Sequence, residues 1–269
     1  MRQFSFIFVF MFIESKNNEK IKQAVQLASS SKERKQTGLF FLEGLRLCHD
    51  AALTGITIVS LFYTEEAVRH SRFELIMEKA CNSYEISTDV ASRLAQTQSS
   101  QGVFCVCKKP EMRLSTQDIS AGGCFIALEN IQDPANLGAV CRTAEALGIK
   151  GAVLSGCCDI YNPKSQRAAM GSLLRLPLLS TDSLPSLLKE LSENGTGVFA
   201  AVPDSSASDI REVEFGASSV TVIGNEANGV TEETKAVCKN VTIPMKGRAE
   251  SLNASAAAAV IMWEIIRRT

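Results

Sequence analysis

Three separated segments of this chain carry residue types that can do chemistry: Asp133-Pro134-Ala135-Asn136 running on to Arg142, Gly224-Asn225-Glu226 running on to Gly229, and Ser251-Leu252-Asn253 opening an alanine-rich run. Asp133-Pro134-Ala135-Asn136 reads first as a helix start, with a capping side chain, a proline and small residues. That reading leaves Arg142 over. It lies roughly one and two-thirds turns beyond Asn136, so the two need not share a helical face. Glycines 224 and 229 suit a turn, but no Lys-Ser/Thr pair follows the second one, which excludes a P-loop. No G-x-G-x-x-G follows a first strand, which removes the dinucleotide fingerprint as well. Glycine after a strand still lets backbone approach a ligand where open α/β sheets bind one. Ser251 or Asn253 is an ordinary N-cap before alanines, and such a helix start also offers unpaired N–H groups to a carboxylate or phosphate.

The elements that must position these segments alternate between strand and helix. Helical spacing of Ile21, Ala24, Val25 and Ala28 precedes the apolar run LFFLE, a helix through Leu45, Leu47, Ala51 and Leu53, and the strand ITIVSLFY at 56–63. A helix around 65–80, a strand near 83–87, a short helix near 88–95 and the strand VFCVCK at 103–108 complete a small α/β unit. Pro110 and the polar stretch ending at Gly122 read as a linker. Beyond it come CFIALE at 124–129, a helix from about Asn136, GAVLS at 151–155, GVFAAV at 197–202, SVTVIG at 219–224, VTIP at 241–244 and a final helix over about 253–268. Strands that are apolar without alternation imply a parallel sheet covered on both faces. The expected organisation is an apolar extension at 1–13, one α/β domain at 14–109, a linker at 110–122 and a second domain at 123–269.

Composition narrows the class. The chain has 269 residues and a formal net charge of −1, so no global basic field advertises nucleic acid. A local one exists at Lys16, Lys20, Lys22, Lys32, Arg34 and Lys35, and a solvated basic face is what phosphate contact needs. The nine cysteines form no C-x-x-C pair, and neither His49 nor His70 has a partner at metal-ligand spacing. A reducing compartment, cysteine as a small hydrophobe and no metal are therefore expected. The run FSFIFVFMFI at 4–13 is too short to span a bilayer and lacks a small-residue cleavage site. The reading favours a start placed too early, with Met11 close to the true one, and a cytoplasmic protein without a membrane.

Taken together and in this order, Asn136-Leu137-Gly138 through Arg142-Thr143-Ala144, Gly224-Asn225-Glu226 through Gly229, and Ile243-Pro244-Met245 with Ser251-Leu252-Asn253 resemble the three motifs of the SpoU-type (TrmH-like) RNA ribose methyltransferases of the SPOUT superfamily. The resemblance runs over about residues 14–268. It implies S-adenosylmethionine as cofactor, contacted by Gly224, Ile243 and Leu252 and secondarily by Pro244 and Met245. It also implies a catalytic cleft with Asn136, Arg142, Glu226, Ser251 and Asn253. A trefoil knot, a homodimer whose partner helps build the site, and an N-terminal RNA-binding domain come with the resemblance alone. In that domain Glu43-Gly44-Leu45-Arg46 joins the basic run, so Lys32, Arg34, Lys35 and Arg46 are the expected RNA contacts.

Methyl transfer to a ribose 2′-hydroxyl needs alignment, removal of a proton and a held RNA strand; alignment alone supplies roughly 7–11 kcal/mol in favourable intramolecular cases. The family's arginine is often called the base, but guanidinium does not deprotonate in proteins. Arg142 is therefore expected to stabilise developing oxyanion charge and to fix a phosphate. Glu226 is expected to anchor the cofactor loop or to bond Asn136 or Arg142, and Ser251 and Asn253 to orient the hydroxyl or cap the last helix. The expected target is 23S ribosomal RNA. The alternatives are ribose methylation of transfer RNA and a noncatalytic RNA-binding or ribosome-assembly protein.

Overall fold

The structure, a computed structural model, describes residues 11–98, 100–111 and 114–268. It divides into two compact units, the first running to Pro110 with Tyr161–Pro163 added, the second comprising Glu111–Ile160 and the chain from Lys164.

In the first unit, β1 (Met11–Ile13), α1 (Glu19–Ser29), α2 (Ser31–Thr37), β2 (Leu39–Glu43), α3 (Leu45–Leu53), β3 (Ile58–Tyr63), α4 (Phe73–Lys79), β4 (Ser83–Ile86), α5 (Thr88–Leu94) and β5 (Val103–Lys108) follow in order. The sheet runs β1-β4-β3-β5-β2, parallel from β1 to β3 and antiparallel across β5. α1 starts where the Asn18 side chain accepts from the Lys20 N–H, and it buries Ile21, Ala24, Leu27 and Ala28 against the sheet. The helix expected over 65–80 is two pieces, a 3-10 turn at Glu65–Arg69 and then α4. Residues 1–10 of the apolar extension lie outside the described residues. Met11–Ile13 belongs to the domain: it pairs with β4, and Ile13 is buried opposite Ile86.

The second unit opens with α6 (Thr116–Ser120), inside the stretch expected to be linker. Ser115 and Asp118 form a reciprocal capping box there, a signal that the turn-rich composition masked. Then come β6 (Gly123–Glu129), α7 (Pro134–Ala146), β7 (Gly151–Ser155), α8 (Pro163–Ala169), β8 (Leu178–Ser180), α9 (Leu184–Glu193), β9 (Gly197–Ala201), β10 (Ser208–Asp209), β11 (Ser218–Ile223), α10 (Glu232–Val237), β12 (Lys239–Thr242) and α11 (Ala254–Ile266). The seven strands order as β10-β12-β9-β11-β6-β7-β8, and every pairing is parallel, as the unbroken apolar runs imply. One face is covered by α6 and α9, through Ile119, Leu184, Leu187, Leu188 and Leu191. α11 packs against α7 and against β6 and β11. β12 stops at Thr242, two residues before Pro244, whose missing N–H cannot extend a ladder.

Among the described residues no helix is long and apolar enough to cross a membrane, and no group of three His, Cys, Asp or Glu side chains could hold a metal ion.

Candidate active site

The carboxyl ends of β9, β11 and β12 and the start of α11 enclose a cleft, where open parallel sheets expose their strand-end loops. Its walls include Ile223, Gly224, Glu226, Ile243, Met245, Ser251, Leu252, Ala254, Ala257 and Ile261, with Ala201, Val202 and Pro203 at the end of β9. Apolar side chains and strand-end backbone make this a cleft suited to a small ligand. Gly224 can be nothing else. A Cβ there would sit 2.2 Å from the Gly229 carbonyl carbon, because the loop folds back on itself through Asn225 N–H to Gly229 O (3.0 Å) and the reciprocal bond (2.9 Å).

Beside the cleft runs a chain of side-chain hydrogen bonds. Asn136 Nδ2 donates to Glu226 Oε1 at 3.0 Å, Asn253 Nδ2 donates to Asn136 Oδ1 at 3.1 Å, and Asn253 Oδ1 accepts from the Ser255 N–H at 2.9 Å and its Oγ at 2.6 Å. Its direction is forced. A carboxylate only accepts and a backbone N–H only donates, so each amide between them has one consistent orientation. The chain ties β11's loop to the starts of α7 and α11, segments 90 and 117 residues apart in sequence.

Glu226 also accepts from the N–H groups of Gln132 (3.4 Å) and Asp133 (3.3 Å) and from Asn225 Nδ2 (3.4 Å). Partial burial pushes its carboxyl up, but the hydrogen bonds from Asn136 and from backbone N–H groups outweigh that and hold it below the ordinary carboxylate range. It is a charged anchor. Asp133 caps α7 by accepting from the Ala135 N–H at 2.8 Å, and Pro134 occupies the first helical turn.

The expected site residues thus divide. Asn136, Glu226 and Asn253 meet directly, and Gly224, Ile243, Met245, Ser251 and Leu252 line the cleft. Pro244 is exposed and outside the lining. Arg142 is also outside it: it is exposed on α7, with no side-chain hydrogen bond or ion pair among the described residues. Glu226 bonds Asn136 rather than Arg142. Of the expected RNA contacts, Lys32, Lys35 and Arg46 are exposed, but Arg34 is not. It is 1% exposed and donates from Nη1 to the carbonyls of Leu27 (2.5 Å) and Ala28 (3.4 Å). Its charge satisfies orphan carbonyls at the end of α1, which corrects its assignment to RNA.

Asn225, which the sequence analysis gave no role of its own, holds the loop together. Its Nδ2 donates to Asn130 O (2.8 Å), and its Oδ1 accepts from the Ala227 (2.9 Å) and Asn228 (3.0 Å) N–H groups. The signal was present, since asparagine before a glycine-closed turn commonly bonds backbone two residues on.

Comparison with known proteins identifies the family. The sequence matches the SpoU rRNA Methylase family over residues 123–263 and the MRM3-like substrate binding domain over residues 18–105. It is 31% identical over 258 residues to the 23S rRNA (guanosine(2553)-2′-O)-methyltransferase RlmP of Bacillus subtilis (strain 168), covering 94% of this chain and 98% of that protein. It is 27% identical over 260 residues to the 23S rRNA (uridine(2479)-2′-O)-methyltransferase of Streptomyces viridochromogenes, covering 93% and 90%. The crystal structure of an AdoMet-bound rRNA methyltransferase from Sinorhizobium meliloti superposes with a TM-score of 0.85 at 27% identity, covering 96% of this chain and 98% of that one. With most of its motif residues gathered at the carboxyl end of a parallel sheet and its matched region spanning that whole sheet, the chain belongs to the SpoU rRNA methylase family.

Proposed function

We propose that this protein methylates the 2′-hydroxyl of a ribose in RNA, with 23S ribosomal RNA the preferred target, using S-adenosylmethionine. The observation that carries the reading is the hydrogen-bonded run Glu226–Asn136–Asn253 beside the apolar cleft. When bound, the cofactor supplies an electrophilic methyl on a sulfonium. Gly224, Ile243 and Leu252 would hold it, with Met245 beside them and Pro244 shaping the turn. Asn136, Asn253 and Ser251 orient the ribose hydroxyl, each carrying polar hydrogens beyond those the network uses. Glu226 is not the proton acceptor, because four donors occupy its oxygens and its carboxyl is held low.

Arg142 stabilises the oxygen as negative charge develops and fixes an RNA phosphate. It does so in the cleft of a second copy. Its exposure outside its own cleft supports this, as does the apolar surface of α11, where Val260 and Trp263 are 41% and 59% exposed. The homodimer and the trefoil knot of the family are part of the reading, as is a cytoplasmic site of action, which suits nine free cysteines.

The test supplies labelled S-adenosylmethionine with undermethylated ribosomal and transfer RNA to the wild type and to Arg142→Ala. Label in ribosomal RNA as an alkali-resistant dinucleotide, lost in the variant, is the expected result. Label only in transfer RNA moves the substrate. No label in either RNA, with cofactor binding intact by calorimetry, favours a binding protein or a target outside these two RNAs.

A further inference from the structure

The first unit has a cavity of its own, about 530 Å³, which is within the usual size of a small-ligand site. Tyr63, Val68, Phe73 and Met77 wall it, and Arg69, His70 and Glu74 stand exposed around it. Tyr63 sits at the end of β3 and is 1% exposed, yet its hydroxyl has no hydrogen-bond partner among the described residues. Packing does not explain that hydroxyl. The ring meets Phe73 edge-on, with centroids 5.1 Å apart, and phenylalanine would make the same contact without an orphaned polar atom. A buried hydroxyl left unpaired is destabilising, so a partner that arrives with a ligand gives it a use. Burial raises the Tyr63 phenol, and the charge of Glu85 raises it further, which keeps the hydroxyl a donor at neutral pH.

The occupant is set by this chemistry. Aromatic and thioether walls suit a flat ring, a phenol donor suits a carbonyl or ring nitrogen on its edge, and the Glu74 carboxylate suits an amino group. Arg69 and His70 have no side-chain ion pair among the described residues and offer cationic or donor groups to a phosphate beside that ring. A planar ring with donors and acceptors on its edge, joined to phosphate, is a nucleotide, and RNA is read chiefly through unstacked bases. We infer that this cavity receives one unpaired nucleobase of the bound RNA, with Tyr63 as its hydrogen-bond donor. The inference rests on the reading of the protein as an RNA-modifying enzyme and adds a base-reading site whose lining does not include Lys32, Lys35 or Arg46.

The test uses the full chain and a short single-stranded RNA containing photoreactive 4-thiouridine, with binding followed by anisotropy and cross-linked peptides mapped by mass spectrometry. Cross-links are expected within residues 63–77. Tyr63→Phe should weaken binding roughly two- to tenfold while leaving the melting temperature unchanged or higher. Val68→Glu, at a position 52% exposed and therefore tolerant, places a carboxylate in the mouth and should weaken binding roughly tenfold or more. Wild-type affinity in a folded Tyr63→Phe protein, or cross-links confined to residues outside 63–77, would overturn the inference. Methyl transfer is assayed on the same preparations. Transfer that persists without cross-links at 63–77 defeats the base site and spares the methylation reading; cross-links there without transfer do the reverse.

Discussion

The start of α7 and its middle belong to one sequence motif and lead different lives. At its start Asn136 is 9% exposed and wired to Glu226 and Asn253, and Gly138 lies so close to α8 that a Cβ would sit 2.4 Å from the Ser165 carbonyl oxygen. Further along the helix, Arg142 is exposed and makes no side-chain hydrogen bond or ion pair among the described residues. The start is held by bonds within its own chain; the Arg142 side chain is held by none that the described residues supply. Proximity along a motif therefore says little about which residues act in the same cleft, because a helix turns its residues through different directions as it advances.

The comparison breaks most sharply at Arg142. Arg142→Ala should lower kcat roughly 10²–10³-fold, in line with losing one donor to developing oxyanion charge, while cofactor affinity and melting temperature stay unchanged. Mixing it with Glu226→Ala, itself inactive, should restore activity if Arg142 works in a partner's cleft. A mixture as inactive as its components would put the arginine back in its own. Arg142→Lys should recover little, since lysine cannot form the planar two-pronged contact.

At the start of α7, the expected losses are of stability. Gly138→Ala forces backbone of α7 and α8 apart and should cost about 1–3 kcal/mol in denaturant unfolding. Asn136→Ala takes one of two donors from Glu226 Oε1 and removes the acceptor of the Asn253 amide, for a loss of about 1 kcal/mol with weakened cofactor binding by calorimetry. An Asn136→Ala protein as stable as the wild type would show that water replaces the network at no cost.

The smallest effect is in pH. Glu226 is held below its ordinary value of 4.5, so its contribution is present above that pH and is lost as pH falls through the depressed folded-state value. Wild type should lose slightly more stability than Glu226→Gln in that acid window, and the two curves should run parallel above it. The side chain is exposed, so the difference should be small.

Local chemistry made much of this legible in the residues. The strand at 103–108, the capped start of α7 and the parallel arrangement all follow from apolar runs, a cap and a proline. The regular spacing of Leu184, Leu187, Leu188 and Leu191 in α9 was equally readable and was passed over. The three motif segments were recognisable as a set, with Gly224 and Asn253 where their residue types belong.

What folding alone decided concerns direction and burial. Lys32, Arg34 and Lys35 look alike in a basic run, yet the turn between α1 and α2 sends Arg34 inward to the carbonyls of Leu27 and Ala28 and leaves the lysines in water. Asn225 carries no sign in the sequence that its amide ties the cleft loop to Asn130. The orientation of Asn136 and Asn253 depends on Glu226 and Ser255, groups far away along the chain. A sequence specifies donors, acceptors and the local geometry that carries them. Which donor meets which acceptor is settled by long-range packing, because a buried polar group must find its partner wherever the fold brings one.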